Sequence, residues 1–152
     1  MARPAVPTLI RSTSDSSSWV REYAILALMK IKIPVKKMVP LLLKALKDKD
    51  EEVRESAALS LGRIGPKAGI AFYPLLKALK DKDWRVRART IEALALIAPK
   101  AKKRLRKEIK KYLSDKHFLV RSAAIRTLNN LKDRIKTPNN RGYIIVHHPP
   151  KR

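Results

Sequence analysis

Four aspartates and four arginines are the residues of this chain whose types and spacing could do chemistry together. Asp15, Asp48, Asp81 and Asp115 are followed six residues later by Arg21, Arg54, Arg87 and Arg121, and the aspartates recur at intervals of 33, 33 and 34 residues. A guanidinium is a planar fork that grips a carboxylate or a phosphate through two parallel hydrogen bonds, so these columns suit either internal ion pairs or a row of phosphate sites. A second concentration is purely cationic. Lys100, Lys102, Lys103, Arg104, Arg106, Lys107, Lys110 and Lys111 form a run opposed only by Glu108, and Arg134, Lys136, Arg141, Lys151 and Arg152 continue it in the tail. Such density suits neutralisation of phosphates.

Other chemistry has little to work with. There is no Cys, which removes disulfides, thiolate metal sites and a cysteine nucleophile. His147 and His148 are adjacent and diverge in an extended chain, and His117 is distant in sequence, a poor basis for a metal site. With four glycines there is no phosphate-cradling loop, and no nucleophile has a candidate base. The chain is expected to be no enzyme, with no cofactor, metal or small-molecule substrate.

The elements that must position these residues repeat with them. Five residues after each Asp stands Val20, Val53, Val86 or Val120; nine after it, Ala24, Ala57, Thr90 or Ala124. Thirteen after it come Leu28, Leu61, Leu94 or Leu128, and three further on Ile31, Ile64, Ile97 or Leu131. Steps of four, four and three trace one stripe of an α-helix. This helix, B, follows a shorter amphipathic one, A, carrying Leu41, Leu42, Ala45 and Leu46 in one copy and Leu75, Leu76, Ala78 and Leu79 in the next. Neither helix can bury its stripe alone, so the copies must stack.

The shared pattern, LLKALKDKDxxVRxxAxxxLxxI, resembles the HEAT repeat, especially the short HEAT-like repeats of the phycobilisome-lyase type. The resemblance covers Pro34 to Lys132 well and Pro4 to Lys32 in part. It implies an all-α, right-handed α-solenoid of about 3.5 to 4 helix pairs. The units are about 4–33, 34–66, 67–99 and 100–132, followed by an irregular basic tail over 133–152. It also implies that the Asp and Arg columns form a polar ladder tying neighbouring repeats together. The family includes scaffolds, lyases, nucleic-acid binders and a DNA glycosylase branch. The catalytic carboxylate and groove aromatics of the glycosylases have no counterpart here, nor has a bilin pocket.

Several local expectations follow. Thr13 in place of Leu46 suggests a polar cap on the first unit, and the first B helix should run from Trp19 to Ile33. Ser17, Asp50, Asp83 and His117 share the N-cap column. Gly62, Gly65 and Pro66 should close the second B helix. Leu105, Ile109, Tyr112 and Leu113 should face inward from the last A helix, leaving Lys102, Lys103, Arg106, Lys107 and Lys110 outside as a ridge. Trp84 and Phe118, with Trp19 one place off, should pack against the preceding helix, and Tyr143 to Val146 has strand character.

Charge points to the partner. Lys and Arg number 36 against 13 Asp and Glu, a net charge of +23, where about 2 to 8 suffices for a small soluble domain. Residues 67–152 hold 24 basic and 6 acidic side chains, against 12 and 7 in residues 1–66, so an anionic partner should lie against the C-terminal half. The expected function is non-catalytic nucleic-acid binding through phosphates. RNA is preferred over DNA, and a ribosome or other ribonucleoprotein is the setting, because a compact basic body with a basic tail resembles ribosomal proteins. The alternatives are an adaptor for an acidic protein, using B-helix residues such as Tyr23, Leu26, Arg89 and Arg126, and a duplex DNA binder. No apolar run is long enough for a membrane span, and Met1 to Ile10 lacks a signal peptide's apolar core, so the location expected is cytoplasmic. Absent Gln and Cys with abundant Lys lean toward a thermophile.

Overall fold

The computed structural model describes residues 5–131, and within them every regular element is helical. Four A–B pairs follow one another: α1 (Ala5–Ser12) with α2 (Ser18–Ile31), α3 (Val35–Ala45) with α4 (Glu51–Ile64), α5 (Phe72–Ala78) with α6 (Trp84–Ile97), and α7 (Lys102–Lys110) with α8 (Phe118–Asn130). Two 3-10 segments, Gly65–Ala71 and Lys111–Ser114, lead into α5 and out of α7. The tail assignments, among them Arg134, Lys136, Arg141, Lys151, Arg152, the strand-like Tyr143 to Val146 and the His147–His148 pair, lie outside the described residues.

The B helices form the spine. Helices α2, α4, α6 and α8 pack directly on one another in order, whereas the A helices pack chiefly on their own B helix. This follows from side-chain size, because the B–B contacts are lined by small residues such as Ala57, Ala58, Ala93, Ala123 and Ala124, all buried. Leu28, Leu61 and Leu94 of the repeating stripe are fully buried, and truncating any one to Ala would cost about 2–5 kcal/mol.

Gly62 does not end α4. It sits inside that helix, buried, where an added Cβ would lie 3.1 Å from Ala93 Cα. Helix α4 stops at Gly65, whose φ of +69° few other residues would adopt. Helix α2 stops at Ile31 rather than Ile33. Lys32 takes a left-handed conformation with φ 59°, and Ile33 precedes Pro34, which disfavours helical backbone at that position.

The caps differ within their column. Asp50 accepts from the Glu52 and Val53 amides, Asp83 from those of Arg85 and Val86, and His117 from that of Leu119. The Ser17 hydroxyl caps nothing. The ladder aspartates brace the same turns from one step earlier. Asp15, Asp48, Asp81 and Asp115 accept from the amides of Ser17, Asp50, Asp83 and His117 at 2.9, 3.0, 2.9 and 2.9 Å.

Candidate nucleic-acid interface

Each ladder arginine lies across the start of its own B helix, where the side chain is pinned before it reaches any partner. Arg54 Nη1 donates to the carbonyls of Asp48 and Lys49 at 2.9 and 3.0 Å. Its remaining edge grips the next repeat, with Nε donating to Asp81 Oδ2 at 2.8 Å and Nη2 to Oδ1 at 2.9 Å. Arg21 does the same to Asp48 at 2.8 and 2.6 Å, and Arg87 to Asp115 at 2.8 Å for both bonds. These three guanidiniums are buried, so phosphate has no access to them.

The environment shifts both partners. Hydrogen bonding to the aspartates raises the pKa of Arg21, Arg54 and Arg87 against the opposing effect of burial. Burial alone would raise the Asp48 carboxyl, but the Arg21 fork and the Asp50 amide outweigh it and hold the group below its ordinary range. Asp115 is lowered in the same way, burial being overcome by Arg87 and the His117 amide.

A second set of contacts between repeats runs along the B helices. Ser56 donates to Glu22 at 2.6 Å, Arg89 to Glu55 at 3.2 Å and Arg126 to Glu92 at 2.7 Å, each pair 34 residues apart. Arg85 adds contacts to Glu51, Glu52 and Asp83. Sequence reading passed over this set, although the recurring separation was its signal. Its consequence is electrostatic, because the described carboxylates already serve as caps or as partners within the stack.

The ridge is different. Lys100, Lys102, Lys103, Arg104, Lys107, Lys110 and Lys111 are exposed, Arg106 is half-buried, and only Leu105 and Ile109 of α7 are buried. Lys111 donates to Glu108 at 2.7 Å, a bond that lowers the Glu108 pKa. Arg104 lies over Tyr73 and Phe72, 5.2 and 5.6 Å from the ring centroids, and is the ridge residue most committed to packing. Lys103, Arg106, Lys107 and Lys110 form no ion pair among the described residues. The first turn of α7 contains Lys102, Lys103 and Arg104 and no acid, so three cations crowd the positive end of the helix dipole.

Basic columns also follow the turn edge of the array. Arg11, Lys44, Lys77 and Lys111 stand four residues before each ladder aspartate, and Lys49, Lys82 and Lys116 one residue after; all are exposed. The sequence carried these columns in plain register, but the denser run at 100–111 drew the reading.

Two of the three aromatic residues at the B-helix starts depart from expectation. Trp84 is half-buried against the core and also stacks on His117 of the following repeat, ring centroids 4.0 Å apart and 6° from parallel. Phe118 is exposed, and Trp19 is exposed against Tyr23 at 5.9 Å. Leu113, expected inside, is also exposed. Trp19 lies at one end of the described array and Leu113 and Phe118 at the other, where no further repeat covers them among the described residues. Among the described residues no three His, Asp or Glu side chains are grouped to hold a metal ion, and no helix is long and apolar enough to cross a membrane.

The family signature for HEAT repeats matches residues 6–72 and again 73–139. It describes the repeat and names no lyase or other activity. Among solved structures, the chain resembles crystal structures of engineered proteins from the Northeast Structural Genomics Consortium. Two share 28% identity with it at a TM-score of 0.63, covering 84% and 86% of this chain and 62% and 38% of theirs. A third, at 23% identity and TM-score 0.63, covers 85% of this chain and 64% of that one and supports the fold alone. The chain thus spans less than two thirds of the length of each. No curated protein matches it.

Proposed function

The chain belongs to the HEAT-repeat family, and from that premise we propose that it is a non-catalytic binding module that holds RNA by its phosphates. The scaffold itself is an interaction fold, and the finer reading rests on one observation. The cations of α7 are gathered on one exposed helix whose first turn has no acid, while the described carboxylates other than Glu108 are engaged elsewhere in the stack. A cluster that raises the energy of its own helix is relieved by an external polyanion. Lys103, Arg106, Lys107 and Lys110 form the centre of the contact. Lys100, Lys102, Arg104 and Lys111 flank it, and the tail residues Arg134, Lys136, Arg141, Lys151 and Arg152 extend it. The turn-edge lysines continue the same potential along the array. No element here reads base edges, so binding is led by shape and charge, with a cytoplasmic ribonucleoprotein as the setting.

The test is the salt dependence of binding to RNA and DNA of matched sequence, single-stranded and duplex. Reversing Lys103, Arg106, Lys107 and Lys110 to Glu is expected to weaken binding to all sequences alike. The slope of log K against log salt should flatten by about 0.7 per lost single-strand contact or about 0.9 per duplex DNA contact. An unchanged slope removes α7 from the interface, and tighter binding to DNA than RNA replaces RNA with duplex DNA as the partner.

An adaptor role for an acidic protein is the second reading, favoured by the exposed Trp19 and Tyr23 pair on α2. Arg89 and Arg126, expected to serve it, are already paired with Glu55 and Glu92. Sedimentation of lysate with and without ribonuclease separates the two, since only an RNA-held complex is released by the nuclease.

A further inference from the structure

The described ladder is unfinished at both ends, and the two ends are complementary. Arg121 is held as its three counterparts are, donating to the carbonyls of Asp115 and Lys116 at 2.8 and 3.2 Å. In the other repeats the free edge of the fork takes the next aspartate; in Arg121 that edge has no carboxylate among the described residues. Asp15 is the mirror case. It braces the Ser17 amide at 2.9 Å as Asp48 braces that of Asp50, yet among the described residues no arginine fork grips its carboxylate, Arg21 reaching only its carbonyl.

The surfaces around these two groups are unfinished in the same way. Val20 is 39% exposed, whereas Val53, Val86 and Val120 in its column are at most 1% exposed. Tyr23 beside it is open, where Ser56 and Ala123 are buried. At the other end Ile125 is 51% exposed, although Ile25, Ala58 and Ile91 in its column are fully covered. Leu113 is 41% exposed against 6% and 2% for Leu46 and Leu79. Repeat arrays ordinarily close their ends with polar faces. Neither end of the described array does so, and the polar cap expected from Thr13 leaves Val20 and Tyr23 uncovered.

We infer that a second copy of this chain stacks head to tail on the first, with Arg121 of one copy gripping Asp15 of the next. Leu113, Phe118 and Ile125 then cover Val20 and Tyr23 in the register of the internal junctions. The interface is heterologous, so it propagates into rods. The high positive charge opposes association at low salt, and screening favours it, because at 1 M salt charges more than about 3 Å apart no longer feel one another strongly.

The chain has no Cys, which permits a direct test. Glu22 and Ser56, in contact at 2.6 Å, occupy the columns that would bring Ser122 of one copy to Tyr23 of the next. Full-length S122C and Y23C variants are oxidised mildly at high salt, alone and mixed. The mixture is expected to give disulfide-linked dimer about tenfold or more above either variant alone, since stacking raises the effective concentration of the two thiols. Adding I125E to the S122C chain should abolish that excess. Ile125 is exposed in the single chain, so this change leaves the fold intact, which circular dichroism verifies. No excess in the mixture overturns the inference and assigns the open end to residues 132–152 or another protein. An excess that survives I125E overturns the proposed register.

Discussion

Replacing Arg54 by Ala removes the tie at the central junction of the array, and the structure supplies an internal control for its size. Arg54 is 6% exposed and makes four hydrogen bonds, two to carbonyls of its own turn and two to Asp81. Deleting it leaves the Asp81 carboxylate nearly buried with the Asp83 amide as its remaining support. Removing one partner of a buried ion pair costs about 3–5 kcal/mol, which at a slope of about 2 kcal/mol per M lowers the urea midpoint by roughly 2 M. Arg121 makes the two carbonyl bonds and no carboxylate bond, so R121A should cost about 1–3 kcal/mol. Equilibrium urea unfolding followed by circular dichroism measures both. The R54A/D81A double variant should be no less stable than R54A, because the stranded charge is gone. The reasoning is refuted if R121A costs as much as R54A or more, or if the R54A and D81A losses simply add.

Three further outcomes follow from particular contacts. Asp48 and Asp115 have folded pKa values below their ordinary ones, so the unfolded chain binds more protons as acid is added. Their contribution is full above the ordinary Asp value of about 4 and is lost as pH falls through the folded values; thermal melts across pH should show this loss, with a shallower slope in D48N. Gly62→Ala gains about 1 kcal/mol of helix propensity but places a methyl 3.1 Å from the backbone of Ala93. Overpacking of about 1–3 kcal/mol should win, and a higher melting temperature for G62A would contradict the close α4–α6 approach. The Thr90 hydroxyl is buried without a hydrogen-bond partner, so T90V should stabilise by about 1 kcal/mol, read from the urea midpoint.

What could be read in the sequence was whatever the repeat states several times over. The Val, Ala and Leu columns give the inward stripe because the internal copies sample the same environment, and any one of those predicts the others, Val20 at the first unit being the exposed exception. The misreadings fall where a copy's neighbours differ from the rest. Leu113 carries the same residue type as Leu46 and Leu79 and is nonetheless exposed, since a column records what a residue is and not whether another repeat lies beyond it. Gly62 reads as a stop in a single copy, yet it is a point of close approach between two.

The charge excess had a similar ambiguity. A net charge of +23 is a sum, and a sum does not say whether the few acids sit beside the ridge or away from it. The coordinates place Asp48, Asp81 and Asp115 under ladder arginines, Asp50 and Asp83 on helix amides, and Glu55 and Glu92 across the B helices. Glu108 alone stands within the ridge, beside Lys111. Glu108 apart, no described carboxylate can turn to Lys103, Arg106, Lys107 or Lys110 without leaving a cap or a contact between repeats. Under the proposed function, α7 is therefore the surface on which loss of countercharge from a bound phosphate backbone would be read first, which is why the four-residue reversal to Glu is placed there.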